Sequence, residues 1–105
     1  GEACAAAVSA TARARLVAQL AVMDAMVARD RPRWLSPDEP SVLAIYLSML
    51  LRWMQAFPAF PGDGIDCAAF PALQAVAQGM EARPAIRAAA AAEGLTGRFF
   101  SAPEV

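Results

Sequence analysis

Ser41-Val42-Leu43-Ala44-Ile45-Tyr46-Leu47-Ser48-Met49-Leu50-Leu51-Arg52-Trp53-Met54-Gln55-Ala56-Phe57 is the stretch that decides the fold. Eleven of its seventeen residues are large and apolar. Wound as a helix, it sets Val42, Ile45, Tyr46, Met49, Leu50, Trp53, Met54 and Phe57 on one broad face, with Leu43, Leu47 and Leu51 on another side. Ser41, Ser48, Arg52 and Gln55 keep to a narrow polar strip. A helix that is apolar on most sides is packed by neighbours around it, so this segment is expected to be the central helix of an all-α domain. Ser41 suits the N-cap, because its hydroxyl can accept a first-turn N–H, and Pro58 stops the run.

The flanking segments continue the helical reading. From about residue 5 to residue 28, Val8, Ala12, Leu16, Leu20, Met23 and Val27 recur at steps of three and four, one apolar stripe of a helix about six turns long. Arg13, Arg15 and Gln19 are expected to face water. Arg29, Arg31 and Arg33 suit the negative end of the helix dipole, and Pro32 stops the segment. The connector Pro32–Pro40 holds three prolines, with Trp34 and Leu35 expected to tuck beneath it. Pro61-Gly62-Asp63-Gly64 reads as a turn-rich surface loop. Pro71 begins a third helix running to about Ala82, with Leu73, Val76, Ala77 and Met80 inward. Pro84 begins a fourth through the alanine run Ala88–Ala92, with Gly94 as a left-handed C-cap. Phe99-Phe100 is expected to fold back onto the body. No alternation recommends a strand, and no internal repeat is visible.

Composition narrows the function classes. The chain has 105 residues, the size of one modest domain, and 58% are hydrophobic, 27 of them alanine. Larger apolar side chains are still numerous enough for one core, which argues against a disordered tail, and two cysteines are too few for a disulfide scaffold. Nine cations, all arginine, face ten carboxylates for a net charge of -1. Nucleic-acid binding needs clustered cations, and the Arg29, Arg31, Arg33 cluster is interrupted by Asp30 and Pro32. Histidine is absent, which removes a serine–histidine triad and histidine-rich metal sites from this chain. Lysine is absent too, and with it Schiff-base chemistry and a P-loop. The longest strongly apolar run, Val42–Leu51, spans ten residues, whereas a bilayer needs about twenty. Glu2 stands where a signal peptide would be basic. Cys4 and Cys67, far apart in sequence, read as reduced thiols, and the expected setting is cytoplasmic.

Three stretches, taken in order, resemble the C-terminal helical domain of bacterial-type glutathione transferases. They are the loop Trp34-Leu35-Ser36-Pro37-Asp38-Glu39-Pro40-Ser41-Val42, the helix segments Ile45-Tyr46-Leu47 and Leu50-Leu51-Arg52-Trp53, and the run from Phe70-Pro71-Ala72-Leu73 through Met80-Glu81-Ala82-Arg83-Pro84-Ala85-Ile86 to Ala92-Glu93-Gly94-Leu95. With the first helix, the resemblance covers nearly all of residues 1–105, as a single partial domain. It implies a bundle of about four to five helices around a central buried helix. It also implies a parent that transfers glutathione to hydrophobic electrophiles and contributes to a homodimer. The family's domain normally begins with a further long helix and follows a thioredoxin-like N-terminal domain that binds glutathione. Neither is visible here. The family also places Asp three residues after the cap, where this chain has Ala44, so the return bond of a capping box is missing, at about 0.5–2 kcal/mol.

The chemistry this chain offers is correspondingly passive. The resemblance puts the thiol-activating residue on the other domain, so no catalytic residue is expected here and glutathione enters only as co-substrate of the parent. Tyr46 has no neighbouring base, and Cys67 has no histidine to deprotonate it. Asp63 and Asp66 lack the further oxygen ligands of a calcium loop. Tyr46, Met49 and Trp53 share one side of the central helix, where they either line a pocket wall for a hydrophobic small molecule or serve as ordinary core. A non-catalytic interaction or assembly module is the competing reading, since fold does not dictate function. A free-standing bundle that shares the pattern by chance is a third.

Overall fold

Residues 1–58 and 62–104 are described by a computed structural model, and every regular element among them is helical. Pro61 of the expected turn lies outside the described residues. Alanine, the best helix former, builds α1 (Glu2–Asp30), whose 29 residues at 1.5 Å each reach about 43 Å. That nearly matches the molecule's long axis of 45 Å. Arg31 ends α1 in the left-handed region (φ 45°, ψ 56°), where its N–H reaches the Val27 carbonyl at 3.0 Å. The buried stripe of α1 differs from the expected one. Leu20 and Val27 are in the core, whereas Val8, Leu16 and Met23 stay exposed. Arg13, expected in water, is half-buried and donates to the carbonyls of Asp63 (3.0 Å) and Gly64 (3.2 Å). The inward line therefore runs Arg13, Val17, Leu20, Asp24, Val27, one step round the helix from the purely apolar one.

The connector makes one 3-10 turn, Arg33–Leu35, that buries Leu35 but leaves Trp34 half in water, so the anchor is Leu35 alone. The exposed pairs Arg29–Asp30 (2.8 Å) and Arg33–Glu39 (3.1 Å) neutralise two cations of the basic cluster. A hydrogen bond from Arg29 holds the Asp30 carboxyl below its usual range.

Helix α2 (Val42–Ala56) opens as expected, with the Ala44 N–H donating to Ser41 Oγ at 2.9 Å. The same hydroxyl donates to the Trp34 carbonyl at 2.7 Å, tying the connector to the cap. The burial of α2 is the main correction to the expected core. Its inward face is Ala44, Leu47, Ser48 and Leu51, while Val42, Tyr46, Met49, Trp53 and Phe57 are exposed. The polar strip points into the molecule because it has partners there. Ser48 Oγ, wholly buried, donates to the Ala44 carbonyl at 2.7 Å. Arg52 donates to the Phe99 carbonyl at 3.0 Å, and Gln55 Nε2 to the carbonyls of Leu51 (3.0 Å) and Phe100 (3.2 Å). Buried polar groups must be paired, and these are.

The central helix is instead α3 (Pro71–Glu81), which packs against α1, α2 and α4. Leu73, Val76, Ala77 and Met80 face inward as expected and are fully buried. Pro71 occupies the first turn, but Phe70 at the N-cap has no side chain that can cap. Asp24 of α1 supplies the missing acceptor: its Oδ1 receives the N–H groups of Ala72 (2.8 Å) and Leu73 (3.1 Å). At Gly79 a Cβ would run into the backbone of Pro37, so the connector lies directly on α3 only because this residue is glycine. Helix α4 (Pro84–Ala92) ends at Gly94 (φ +79°), with Gly94 N–H on Ala91 and Leu95 N–H on Ala90, the paired bonds of a Schellman cap.

The C-terminal segment does fold back. Phe99 and Phe100 are buried with ring centroids 4.7 Å apart, edge to face. Glu81, buried at the end of α3, accepts the N–H groups of Phe100 and Ser101 (both 3.0 Å) and the Ser101 hydroxyl (2.7 Å). The whole is a slab with a short axis of 19 Å, about two helix diameters. Among the described residues no further layer lies over the outer face of α2.

Candidate functional site

The spacing 42, 46, 49, 53, 57 keeps five side chains within an arc of about 80° on α2, directly opposite the buried Ala44–Ser48–Leu51 side. Val42 is 85% exposed, Phe57 69%, Tyr46 59%, Trp53 54% and Met49 41%. No charge interrupts this stripe, since Arg52 is turned toward Phe99. Along its C-terminal half the stripe borders α1. Leu16, Ala12 and the stem of Arg13 from α1 meet Leu50, Trp53, Met54 and Phe57 across an open cleft of about 380 Å³ floored by Ile65. Arg13 is pinned to the Asp63 and Gly64 carbonyls, and Arg13 and Asp63 both border the otherwise mostly apolar slot.

Of the three residues expected to line a pocket wall, Trp53 lines this cleft. Tyr46 and Met49 share its stripe but sit further toward the start of α2, outside the cleft lining. None of the three is core. Arg13, Leu16 and Ile65 belong to the cleft and are not among the residues the sequence picked out. Leu16 was legible as apolar on a helix face, but the pairing of that face with α2 is a tertiary fact.

Other groups carry less chemistry. Burial pushes the Cys67 thiol up from 9.0 to about 11, with the charges of Asp66 and Glu81 adding to the effect, so it is a protonated core residue and a poor nucleophile. Its backbone N–H donates to Gln55 Oε1 at 3.4 Å. Asp66 uses a carboxylate oxygen to accept the Ala68 N–H at 2.9 Å, closing a 3-10 turn. Among the described residues no group of three or more His, Cys, Asp or Glu is placed to hold a metal. A larger hollow of about 700 Å³ lies between the end of α1, the connector and the start of α3. Its rim mixes Arg31 and Arg33 with Asp38 and Glu39, and Arg33 is already paired with Glu39. Among the described residues no helix is long and apolar enough to cross a membrane.

Fold and surface together define an all-α bundle with an exposed apolar face and, among the described residues, no group of His, Cys, Asp or Glu placed to hold a metal. No family model, no curated protein and no solved structure matches the chain.

Proposed function

We propose that this chain is the helical part of a cytoplasmic glutathione transferase-like protein and forms one wall of its pocket for a hydrophobic electrophile. The observation that carries the reading is the largely apolar cleft between α1 and α2, with Leu16, Trp53 and Phe57 around a slot that Arg13 and Asp63 border. Such a slot binds an apolar co-substrate by area, and Met54 and Trp53 adapt to its shape. The glutathione site and the group that activates its thiol belong, on this reading, to a thioredoxin-like companion domain. Ala44 stands in the core where the family has a capping aspartate, and its complete burial fits a divergent member whose cap rests on Ser41 alone.

Two measurements test the reading. The chain by itself conjugates no glutathione to an aromatic halide, and turnover by these residues alone overturns the assignment. An apolar fluorescent probe quenches Trp53 emission in the wild-type chain, and Leu16→Asp weakens that binding about tenfold or more by setting a charge in the slot. A Leu16→Asp chain that binds the probe unchanged sinks the cleft as the site. The second reading, a non-catalytic docking module, is favoured by the part of the stripe beyond the cleft, where Val42, Tyr46 and Met49 are exposed without forming a pocket.

A further inference from the structure

The hollow of about 700 Å³ between the end of α1, the connector and the first turns of α3 shares no residue with the α1–α2 cleft. Its apolar lining is built into the fold: Val27 and Leu35 are buried there, and Ala28, Ala72 and Ala75 are too short to fill the space. Four charged side chains also line it, Arg31, Arg33, Asp38 and Glu39, with no net charge among them. Arg33 and Glu39 hold each other at 3.1 Å. Arg31 and Asp38 form no ion pair with each other or with any other described residue.

Both unpaired groups stand on backbone that is held in place. Arg31 sits in the left-handed region at φ 45°, where a Cβ is crowded and glycine fits without strain. Pro32 after it disfavours the right-handed alternative. The chain therefore carries a guanidinium on the hollow at a position whose backbone favours glycine. Asp38 is fixed from the other side. Its N–H donates to Ser36 Oγ at 3.0 Å, and the backbone of Pro37 beside it rests on α3 at Gly79.

Two unpaired charges of opposite sign over an apolar floor select their ligand. A simple anion suits Arg31 and is repelled by Asp38, and a simple cation meets the reverse. A neutral apolar molecule leaves both charges without a partner. A zwitterion satisfies each, and electrostatic complementarity of that kind sets specificity. The volume lies within the range of small-ligand sites, about 300–1,000 Å³. A single amino acid leaves most of it empty, whereas a dipeptide carries its ammonium and carboxylate at opposite ends and covers the floor with its side chains.

We propose that this hollow binds a free dipeptide with apolar side chains, its carboxylate on the Arg31 guanidinium in a bidentate pair and its ammonium on the Asp38 carboxylate. The proposal does not rest on the glutathione transferase reading, because it uses neither the α1–α2 cleft nor a companion domain.

Nitrogen-15 NMR of the whole chain is titrated in turn with leucyl-alanine, valyl-leucine and phenylalanyl-alanine, up to millimolar concentrations. At least one of them shifts the amides of Val27, Ala28, Ala72 and Ala75 saturably. Acetylating its amino end or amidating its carboxyl end weakens binding about tenfold, and so does Asp38→Asn. Arg31→Gly weakens it as much while the Tm holds or rises, since glycine relieves the left-handed backbone. Leu16→Asp leaves the dipeptide affinity unchanged. Three dipeptides that all leave these amides unmoved overturn the proposal. So does a capped peptide, an Arg31→Gly chain or an Asp38→Asn chain that binds at full strength. A Leu16→Asp chain that loses the dipeptide puts it in the α1–α2 cleft and overturns the proposal as well.

Discussion

Helices α2 and α3 are neighbours with opposite fates. The one richer in large apolar residues, α2, is open along a whole side, while the shorter α3 is enclosed by α1, α2 and α4. On α3 the apolar and polar positions separate cleanly, so one orientation buries Leu73, Val76, Ala77 and Met80 together. On α2 nearly every position is apolar, and hydrophobicity alone barely distinguishes one rotation from another. The few polar groups decide. Arg52 and Gln55 reach the Phe99 and Phe100 carbonyls only if they face that segment, and that sends Tyr46, Met49, Trp53 and Phe57 outward. An unmade buried hydrogen bond is expensive, at about 1–3 kcal/mol, which is comparable to the burial of one large side chain.

Substitutions can break this contrast. Leu73→Ala on α3 should lower unfolding free energy by about 2–5 kcal/mol through cavity formation. Val42→Ala on the outer side of α2 should change it by less than about 0.5 kcal/mol when measured in dilute, monomeric samples. Equal effects in urea titrations would mean that the outer stripe is not an open surface.

The thiol behind Gln55 gives a pH test of the enclosed side. Burial raises the Cys67 pKa from 9.0 to about 11. The unfolded chain therefore loses this proton first, and the folded state is penalised once both forms differ in charge. The corresponding stability is fully present below about pH 9 and is lost as pH climbs through about 11, a change of about 2–3 kcal/mol. Chemical denaturation at pH 8 and at the alkaline end of that window should show the loss in wild type and a flatter profile in Cys67→Ala. Parallel profiles would remove Cys67 from the buried set.

Gln55→Leu sharpens the comparison most finely, because it makes α2 more hydrophobic and should still weaken the fold. It strands the Phe100 carbonyl and the Cys67 N–H, and the expected cost is about 1–2 kcal/mol. A stabilised Gln55→Leu protein would show that hydrophobicity, and not polar pairing, chooses the rotation of α2.

The positions of the helices were legible in the sequence because proline, serine and glycine punctuate it: Ser41, Pro71, Pro84 and Gly94 stand where the elements begin or end. The inward set of α3 followed from its periodicity. The rotations of α1 and α2 did not, because they depend on contacts between segments far apart in the chain. Two signals were nonetheless present. Phe70 cannot cap the helix that Pro71 begins, which implies an acceptor from elsewhere, and Asp24, between Leu20 and Val27 on the inward line of α1, supplies it. Glu81 sits at the negative end of α3, where a carboxylate is unfavourable, which suggests that it binds donors; these are the Phe100 and Ser101 N–H groups. For the candidate site, Trp53 was singled out and its partners Leu16 and Ile65 were not, since the slot exists only once α1 and the loop after α2 are assembled.

Gly79 adds a mechanical point. With nothing but a hydrogen where a side chain would project, α3 serves as the fulcrum on which the Pro37 backbone rests. The connector seated there also carries Ser41, and through it the start of α2. A single methyl at this seat would act as a wedge, lifting the connector and with it the start of α2, at the end of that helix remote from the slot beside Leu16.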